Sequence, residues 1–367
     1  MDLAQQLVDL CFSAKGFVLM PASKGYAASD NKSPLAPFAF SRREPGATEI
    51  TVEVLYCGVC HSDLHMARNE WGQSIYPLVP GHEIVGRVTA VGKSAKKFKA
   101  GDIAAVGVIV DSCRHCPPCN KGEEHFCVEG ATLTYAAKDR VDGSITMGGY
   151  SNNYVVDERF AHTVPAHLDL AGVAPLLCAG ITTYSPLRHW KVGPGKKVGI
   201  VGLGGLGHMG LKFAHAFLAH TVQLTTSVKK KEDALKLGAD EVVVSTDVNA
   251  MKAHAGTFDF ILDTASAPHD LEPYLGLLKQ DGTLTLVGLP EKPPTVSVFS
   301  LITKRASIAG SMIGGMPETQ EMLDYCGQHN ITADVEVIPI QKINEAFERM
   351  LKQDVKYRFV IDLSSLK

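Results

Sequence analysis

The sequence has no apolar stretch long enough to span a bilayer and no long basic run. Its 367 residues carry a formal net charge of -3. These absences argue against nucleic acid and against an anionic membrane surface as the main partner. The first residues also lack a basic segment ahead of a clean apolar core, which argues against a secretory signal. We therefore expect a cytoplasmic protein.

The sequence contains nine cysteines, and the spacing of four of them predicts a metal site. Short spacings let one loop wrap a tetrahedral ion, and four thiolates close the site to water, as in structural zinc centres. An iron–sulfur cluster uses the same ligands. Since no further cysteine group suggests an electron-transfer chain, we favour structural zinc. The four residues are Cys113, Cys116, Cys119 and Cys127.

The pattern of apolar residues changes along the chain. The first half contains alternating runs punctuated by glycine, such as ITVEVLYCGVC from Ile50, which predict β-strands. From about residue 170, apolar strands alternate with helical segments. That alternation predicts a parallel sheet with helices on both faces, of the Rossmann type. The last segment, YRFVIDL, predicts a strand that could return to the first domain.

A glycine-rich turn predicts where a dinucleotide binds. Gly202, Gly204 and Gly207 form G-x-G-x-x-G between an apolar strand and a helix. The first glycine allows a tight turn, the second lets the backbone approach a pyrophosphate, and the third lets helix and strand pack closely. A glycine-rich turn without a ligand is the alternative.

The residues after the second strand favour NADP over NAD. NAD enzymes usually place a carboxylate there to bind the ribose hydroxyls. Here the strand ends in Thr225, Thr226 and Ser227, and three lysines, at 229–231, follow. Hydroxyl and ammonium groups suit a 2′-phosphate. Lys230 is the predicted contact, although the lysines could also be the solvated first turn of the next helix.

Three dispersed motifs contain cysteine and histidine residues that, taken singly, would each usually be structural: GVCHSDLH at 58–65, GHE at 81–83 and LCAG at 177–180. With MGGYSNNYVVD, GLGGLGHM and GSMIGG in the same order, the chain resembles the medium-chain zinc-dependent alcohol dehydrogenases. The resemblance is strongest to their cinnamyl-alcohol-dehydrogenase-like branch, which includes bacterial NADP-dependent aldehyde reductases. It runs from about residue 24 to the C-terminus.

The resemblance implies a domain organisation and two zinc sites. It implies an α/β protein with a β-rich GroES-like catalytic domain at 25–174 and 311–367, a Rossmann NADP-binding domain at 175–310, and an N-terminal extension at 1–24. Cys60, His82 and Cys178 match the catalytic zinc ligands, and Glu83 matches a carboxylate that can also ligate the ion. The four-cysteine loop matches the structural zinc site. The resemblance also implies a homodimer that pairs near 307–311.

The resemblance also implies which residues of this chain contact the cofactor and which form a proton relay. The relay runs from Ser62, where the family usually has threonine, through the nicotinamide ribose to His65. A helix cap is the alternative for Ser62, and a surface helix position is the alternative for His65. The dinucleotide contacts are His61, Thr182, Gly202, Gly204, Gly205, Leu206, Gly207, Thr226, Ser227 and Lys230.

Two apolar residues are predicted to line the substrate pocket. Trp71, one of two tryptophans, lies between the relay and the GHE motif, and Ile313 lies in GSMIGG. An aromatic wall would favour flat aldehydes, although plain core packing is an alternative for Trp71. The expected function is zinc-dependent, NADP-linked reduction of aromatic or medium-chain aliphatic aldehydes. The alternatives are an NAD-dependent polyol dehydrogenase of the same fold and a zinc-free reductase.

Overall fold

The computed structural model describes residues 22–366, so most of the predicted extension at 1–24 lies outside the described residues. The strands of the described chain fall into two large sheets and two small ones. They are β1 (Ala22–Ala27), β2 (Ala36–Ser41), β3 (Glu49–Val59), β4 (Ile84–Val91), β5 (Ile103–Val106), β6 (Ile109–Asp111), β7 (Thr132–Leu133), β8 (Asn153–Asp157), β9 (His162–Thr163), β10 (Lys197–Val201), β11 (His220–Thr225), β12 (Glu241–Val244), β13 (Phe258–Asp263), β14 (Leu278–Leu286), β15 (Ser307–Gly310), β16 (Val335–Pro339) and β17 (Arg358–Asp362).

Most α-helices follow strands in the second half of the chain. They are α1 (His61–Ala67), α2 (Pro117–Asn120), α3 (Leu170–Val173), α4 (Ala179–His189), α5 (Gly207–Ala216), α6 (Lys231–Lys236), α7 (Val248–Ala253), α8 (Glu272–Leu277), α9 (Val298–Ile302), α10 (Met316–His329) and α11 (Ile343–Leu351).

The second half forms a six-stranded sheet in the order β12-β11-β10-β13-β14-β15. All its pairings are parallel. This is the strand order of a dinucleotide-binding Rossmann sheet, whose switch point lies between β10 and β13. Both strands are almost wholly buried, as apolar strands covered on both faces should be. The predicted Rossmann fold is confirmed.

Strands from the first half and from the C-terminal end form a seven-stranded sheet in the order β16-β17-β3-β4-β5-β9, with β8 also paired to β3. The C-terminal strand β17 pairs antiparallel with β3, so the chain returns to this sheet as predicted. The run 103–110, which reads as one β-rich stretch, is divided into β5 and β6. Helix α10 (Met316–His329) has Pro317 in its first turn, where proline is well tolerated.

The two large sheets share buried apolar residues. One core cluster contains Val85 of β4 and Val360 of β17 together with Ile200 of β10 and Leu203. Residues Ala179 to Leu187 of α4 are all buried in this junction. Cys178 is the N-cap of α4, so it is held where the two sheets meet.

Within residues 22–366, no single helix has the length and apolarity needed to cross a membrane. The segments Leu170–Leu177 and Ala179–His189 meet that requirement only as a pair bent by 58°.

Candidate active site and metal centres

Four potential zinc ligands from three parts of the chain converge at the junction. The ligand atoms of Cys60, His82, Glu83 and Cys178 all lie within 4.8 Å of one another. The two thiol Sγ atoms are 4.0 Å apart. A tetrahedral zinc ion with Zn–S bonds of about 2.3 Å requires a separation of about 3.8 Å. The Cys178 thiol also lowers the pKa of Cys60 well below its usual value, which favours the thiolate that zinc binds.

Local structure fixes each of these ligands. Cys60 is the N-cap of α1, and His82 and Glu83 directly precede β4. Gly58 allows the close approach of the carboxylate, since a Cβ atom there would lie 1.8 Å from Glu83 Oε2. The chain thus needs glycine beside the ligand pair, and this requirement accounts for Gly58 in the GVC motif.

Asp63 orients two of the potential ligands, Cys60 and His82, through hydrogen bonds to its carboxylate. His82 Nδ1 lies 3.0 Å from Asp63 Oδ1, which leaves Nε2 of the ring free to ligate a metal. The backbone N–H of Cys60 donates to Asp63 Oδ2 over 3.0 Å, and the Tyr150 hydroxyl donates to the same atom over 3.1 Å. Such an outer carboxylate orients a metal-ligating histidine and strengthens its basicity.

Arg358 is a site residue that sequence reasoning missed. It begins β17, and its guanidinium donates to Glu83 Oε1 and to Val59 O, the latter over 2.9 Å. Burial raises the pKa of Glu83 to about 7, and Arg358 opposes that shift. The other oxygen, Glu83 Oε2, is buried without a partner among the described residues. An unpaired carboxylate oxygen in a thiol and imidazole cluster is a fitting position for a metal cation.

The proton-relay candidates lie along α1. Ser62 and His65 are three residues apart on this helix, and Cys60, not Ser62, is its N-cap. His65 Nδ1 contacts the carboxylate of Glu70. Glu70 is a second residue that sequence reasoning missed, and its only sequence signal is a carboxylate five residues after the histidine. It is partly exposed, so it connects the His65 ring to solvent.

Trp71 lies beside His65 and not in the core. Its ring centroid is 5.1 Å from that of His65, and 38% of its surface is exposed. Core packing is therefore wrong as the explanation of Trp71. Ile313 is half-buried and packs against both large core clusters. Its φ of 38° is uncommon for a β-branched residue.

The glycine-rich turn has the geometry that a dinucleotide needs. Gly202 has a φ of 86°, and a Cβ atom on Gly207 would lie 2.1 Å from Gly202 O. These values match a tight turn and a close contact between helix and strand. A Cβ atom on Gly204, in contrast, would meet no protein atom within 4 Å, so the turn has open space at this residue. Arg358 Cδ lies 2.8 Å from the Cβ position of Gly205, so the arginine touches this turn as well as Glu83.

The residues predicted to select the cofactor lie close to the same turn. Thr226 is exposed, and Ser227 is half-buried. Lys230 Nζ donates to Leu203 O, within the glycine-rich turn, over 3.1 Å. Lys230 ends a short 3₁₀ turn ahead of α6, so the lysines also form the entry to that helix. The structure therefore brings Lys230 to the turn and leaves Lys229 exposed.

Three other predicted dinucleotide contacts lie on, or at the start of, three different helices. His61 is the exposed first residue of α1. Thr182 is buried one turn after Cys178, and its backbone N–H donates to Cys178 O over 2.9 Å. Leu206 is the half-buried N-cap of α5.

The four-cysteine loop forms a second, closed group. The Sγ atoms of Cys113, Cys116, Cys119 and Cys127 lie within 4.8 Å of one another. The Cys113–Cys119 distance of 3.8 Å equals the value of about 3.8 Å for tetrahedral zinc. Hydrogen bonds from backbone N–H groups, first that of Val128, lower the pKa of Cys116 to about 6. The donor set therefore fits a structural zinc ion.

Comparison with known proteins identifies the family. Residues 46–166 match the alcohol dehydrogenase GroES-like domain, and residues 205–327 match the zinc-binding dehydrogenase domain. The chain belongs to the zinc-binding alcohol dehydrogenase family, whose cofactors here are zinc and NADP. The aldehyde reductase YahK of Escherichia coli is 57% identical over 345 residues, which are 94% of this chain and 99% of that protein.

Two further relatives bear on the substrate and the cofactor. A mannitol dehydrogenase of Petroselinum crispum is 56% identical over 333 residues, which are 90% of this chain and 98% of that protein. A solved structure of a cinnamyl alcohol dehydrogenase from Helicobacter pylori, complexed with NADP(H), has a TM-score of 0.89. It is 42% identical and covers 94% of this chain and 99% of its own.

Proposed function

We propose that this protein is a zinc-dependent, NADP-linked alcohol dehydrogenase that acts mainly as an aldehyde reductase. The observation that carries the proposal is the convergence of Cys60, His82, Glu83 and Cys178 at the end of α1, beside the glycine-rich turn. When only Cys60, His82 and Cys178 bind a zinc ion, one position stays open, as catalysis requires. The aldehyde reductase and the NADP(H)-bound structure among the relatives support the same reaction.

The proposed mechanism assigns separate tasks to the chain's own residues. Cys60, His82 and Cys178 would hold the catalytic ion. When bound, zinc polarises the substrate carbonyl and NADPH supplies the hydride. Ser62 Oγ would donate the proton that the substrate oxygen needs. The His65 ring would replace that proton, and Glu70 would return the ring to its starting state by exchange with solvent.

The NADP preference is proposed from the cation at the glycine-rich turn. Thr226, Ser227 and Lys230 offer hydroxyl and ammonium groups and no carboxylate. A 2′-phosphate would be attracted by Lys230 and would meet no negative side chain from this strand end.

The substrate class is proposed from Trp71 and Ile313. A partly exposed indole beside His65 offers an aromatic wall to a flat aldehyde. We propose aromatic and medium-chain aliphatic aldehydes as substrates. The mannitol dehydrogenase relative makes polyol oxidation the second candidate, because the two relatives have nearly equal identity.

Steady-state kinetics with NADPH and NADH over a panel of aldehydes, their alcohols and mannitol tests these proposals. We expect the highest kcat/KM for an aromatic aldehyde with NADPH, and two zinc ions per chain by metal analysis. Equal or better efficiency with NADH would refute the NADP preference. Faster oxidation of mannitol would favour the second candidate, and the absence of the catalytic zinc would favour a zinc-free reductase.

We also propose a cytoplasmic homodimer. Strand β15 lies at the edge of the six-stranded sheet, and the neighbouring α9 exposes Val298, Phe299 and Ile302. An edge that pairs with no other described strand, beside apolar side chains, suits pairing with a second copy. Light scattering should give twice the chain mass of 39.4 kDa, and a monomer mass would reject the dimer.

For the domain organisation, we propose a GroES-like domain at 25–174 and 311–367 around a Rossmann domain at 175–310. The return of β17 to β3 supports the division of the first domain into two segments.

A further inference from the structure

The loop that contains the four cysteines, here called the four-cysteine lobe (113–127), contacts the start of α10. The backbone N–H of Met316, the first residue of this helix, donates to Glu124 Oε2 over 2.9 Å. This N–H is one of those that a helix cannot satisfy internally. A carboxylate at the helix N-terminus also interacts favourably with the helix dipole. Glu124 is half-buried in this contact.

The backbones of the lobe and the helix start also touch directly. A Cβ atom on Gly315 would lie 1.7 Å from Gly122 O. A Cβ atom on Gly122 would lie 2.6 Å from the ring of Pro317. Both contacts require glycine, so the lobe and the helix start are packed without intervening space. Movement of one therefore displaces the other.

Ile313 lies three residues before the Met316 N–H that Glu124 binds. Its φ of 38° is unfavourable for a β-branched side chain, so the surrounding contacts must impose it. On one side the core constrains the backbone next to Ile313, since a Cβ atom on the adjacent Gly314 would lie 2.7 Å from Ile181. On the other side the backbone is constrained through Gly315, which packs against Gly122, and through Met316, whose N–H donates to Glu124.

We infer that Glu124 is a positioning residue for the substrate pocket: it ties the four-cysteine lobe to residues 313–316 and so fixes the Ile313 wall. The lobe then has two effects, one on stability and one on substrate recognition. The inference rests on the proposed function, in which Ile313 lines the pocket. Loss of the carboxylate frees the Met316 N–H, allows the strained Ile313 to relax, and widens the pocket. The glycine-rich turn is built on β10 and α5, so the binding of NADPH should not change.

The test compares Glu124→Ala and Glu124→Gln in the holoenzyme with a control residue just beyond the lobe. Glutamine keeps the acceptor for the Met316 N–H and removes only the charge. The control is Glu129→Ala, because Glu129 pairs with His115 and Arg140 at the surface and does not contact α10. Four quantities are measured for each: zinc content, amide hydrogen exchange of residues 313–319, KM for NADPH, and KM and kcat for a bulky aromatic aldehyde.

For Glu124→Ala we expect faster exchange of 313–319 and a KM for the aldehyde raised about threefold to tenfold, as the loss of one charge-assisted hydrogen bond allows. Zinc content and the KM for NADPH should remain those of the wild type. Glu124→Gln should stay within about twofold of the wild type, and Glu129→Ala should match it.

Four results would overturn the inference. Faster exchange with an unchanged aldehyde KM would show that the lobe does not shape the pocket. Loss of zinc, or a parallel rise of both KM values, would show a purely structural role. Unchanged exchange would show that Glu124 does not hold the segment. If the wild type reduces no aldehyde, the proposed function fails by itself, and the exchange comparison still decides whether Glu124 fixes 313–316.

Discussion

Replacement of Arg358 by methionine should destabilise the protein more than the loss of an ordinary ion pair. The guanidinium is the only side-chain partner of Glu83 among the described residues, and both side chains are buried. Removing one member of a buried pair leaves an uncompensated charge and costs about 3–5 kcal/mol. An exposed pair is worth about 0–1 kcal/mol.

The size of this effect can be converted to a melting temperature. Globular proteins have an unfolding entropy of about 2.1 cal/mol/K per residue, so a chain of 367 residues has about 0.8 kcal/mol/K. A loss of 3–5 kcal/mol then lowers Tm by about 4–6 °C. The matched control is Arg188→Met, whose pair with Glu321 is half exposed on both sides. The control should lower Tm by about 1 °C or less.

A double variant separates charge burial from lost packing. In Arg358→Met with Glu83→Gln neither buried charge remains, so most of the lost stability should return. Differential scanning calorimetry on zinc-replete protein measures Tm for the wild type, Arg358→Met, Glu83→Gln and the double variant. Metal analysis confirms that all four proteins contain the same amount of zinc. The reasoning is refuted if Arg358→Met lowers Tm no more than the control does, or if the double variant is no more stable than Arg358→Met.

Two further variants test the relay and the response to acid. Ser62→Ala should lower kcat by about 10²-fold while zinc content stays unchanged, because the proton donor is lost; unchanged turnover would exclude the relay. Burial lowers the pKa of His162 to about 3, so its stability contribution is complete above about pH 6.5 and is lost as pH falls. His162→Phe should therefore lose about 2 kcal/mol less than the wild type between about pH 7.5 and pH 5, measured as Tm at both values. Equal losses would show that His162 has the same pKa in the folded and unfolded states, so that burial does not lower it.

The parts of the fold that depend on local pattern are predictable from the sequence. The glycine-rich turn and the four-cysteine loop each lie within a short segment, so spacing alone indicates their geometry. The parallel sheet follows from the alternation of apolar strands and helices. The division of 103–110 into two strands falls at Gly107 and Val108 and was not predicted, because a glycine within an apolar run does not by itself show that the sheet partner changes.

The dispersed site is harder to predict, because its residues meet only through the tertiary fold. Cys60 and Cys178 are 118 positions apart in the sequence, and only their resemblance to family motifs joined them. Arg358 and Glu83 are 275 positions apart, and the arginine belongs to no motif. Its one signal is a positive charge at the start of the C-terminal strand β17, and the sequence does not show which group that charge pairs with. Glu70, five residues after His65, could have been found from the sequence as a carboxylate near a titratable ring.

Arg358 gives the two candidate sites a physical connection. Its guanidinium contacts Glu83 in the zinc cluster, and its side chain touches the glycine-rich turn at Gly205. Arg358 lies on β17, which pairs with β3, and Cys60 directly follows β3. The pairing of these two strands therefore fixes the position of Arg358 relative to Cys60. Lys230 reaches the turn at Leu203 and contacts none of the zinc ligands. If Lys230 selects the cofactor as proposed, its substitution should change cofactor preference without disturbing the metal, whereas a change at Arg358 should affect both sites.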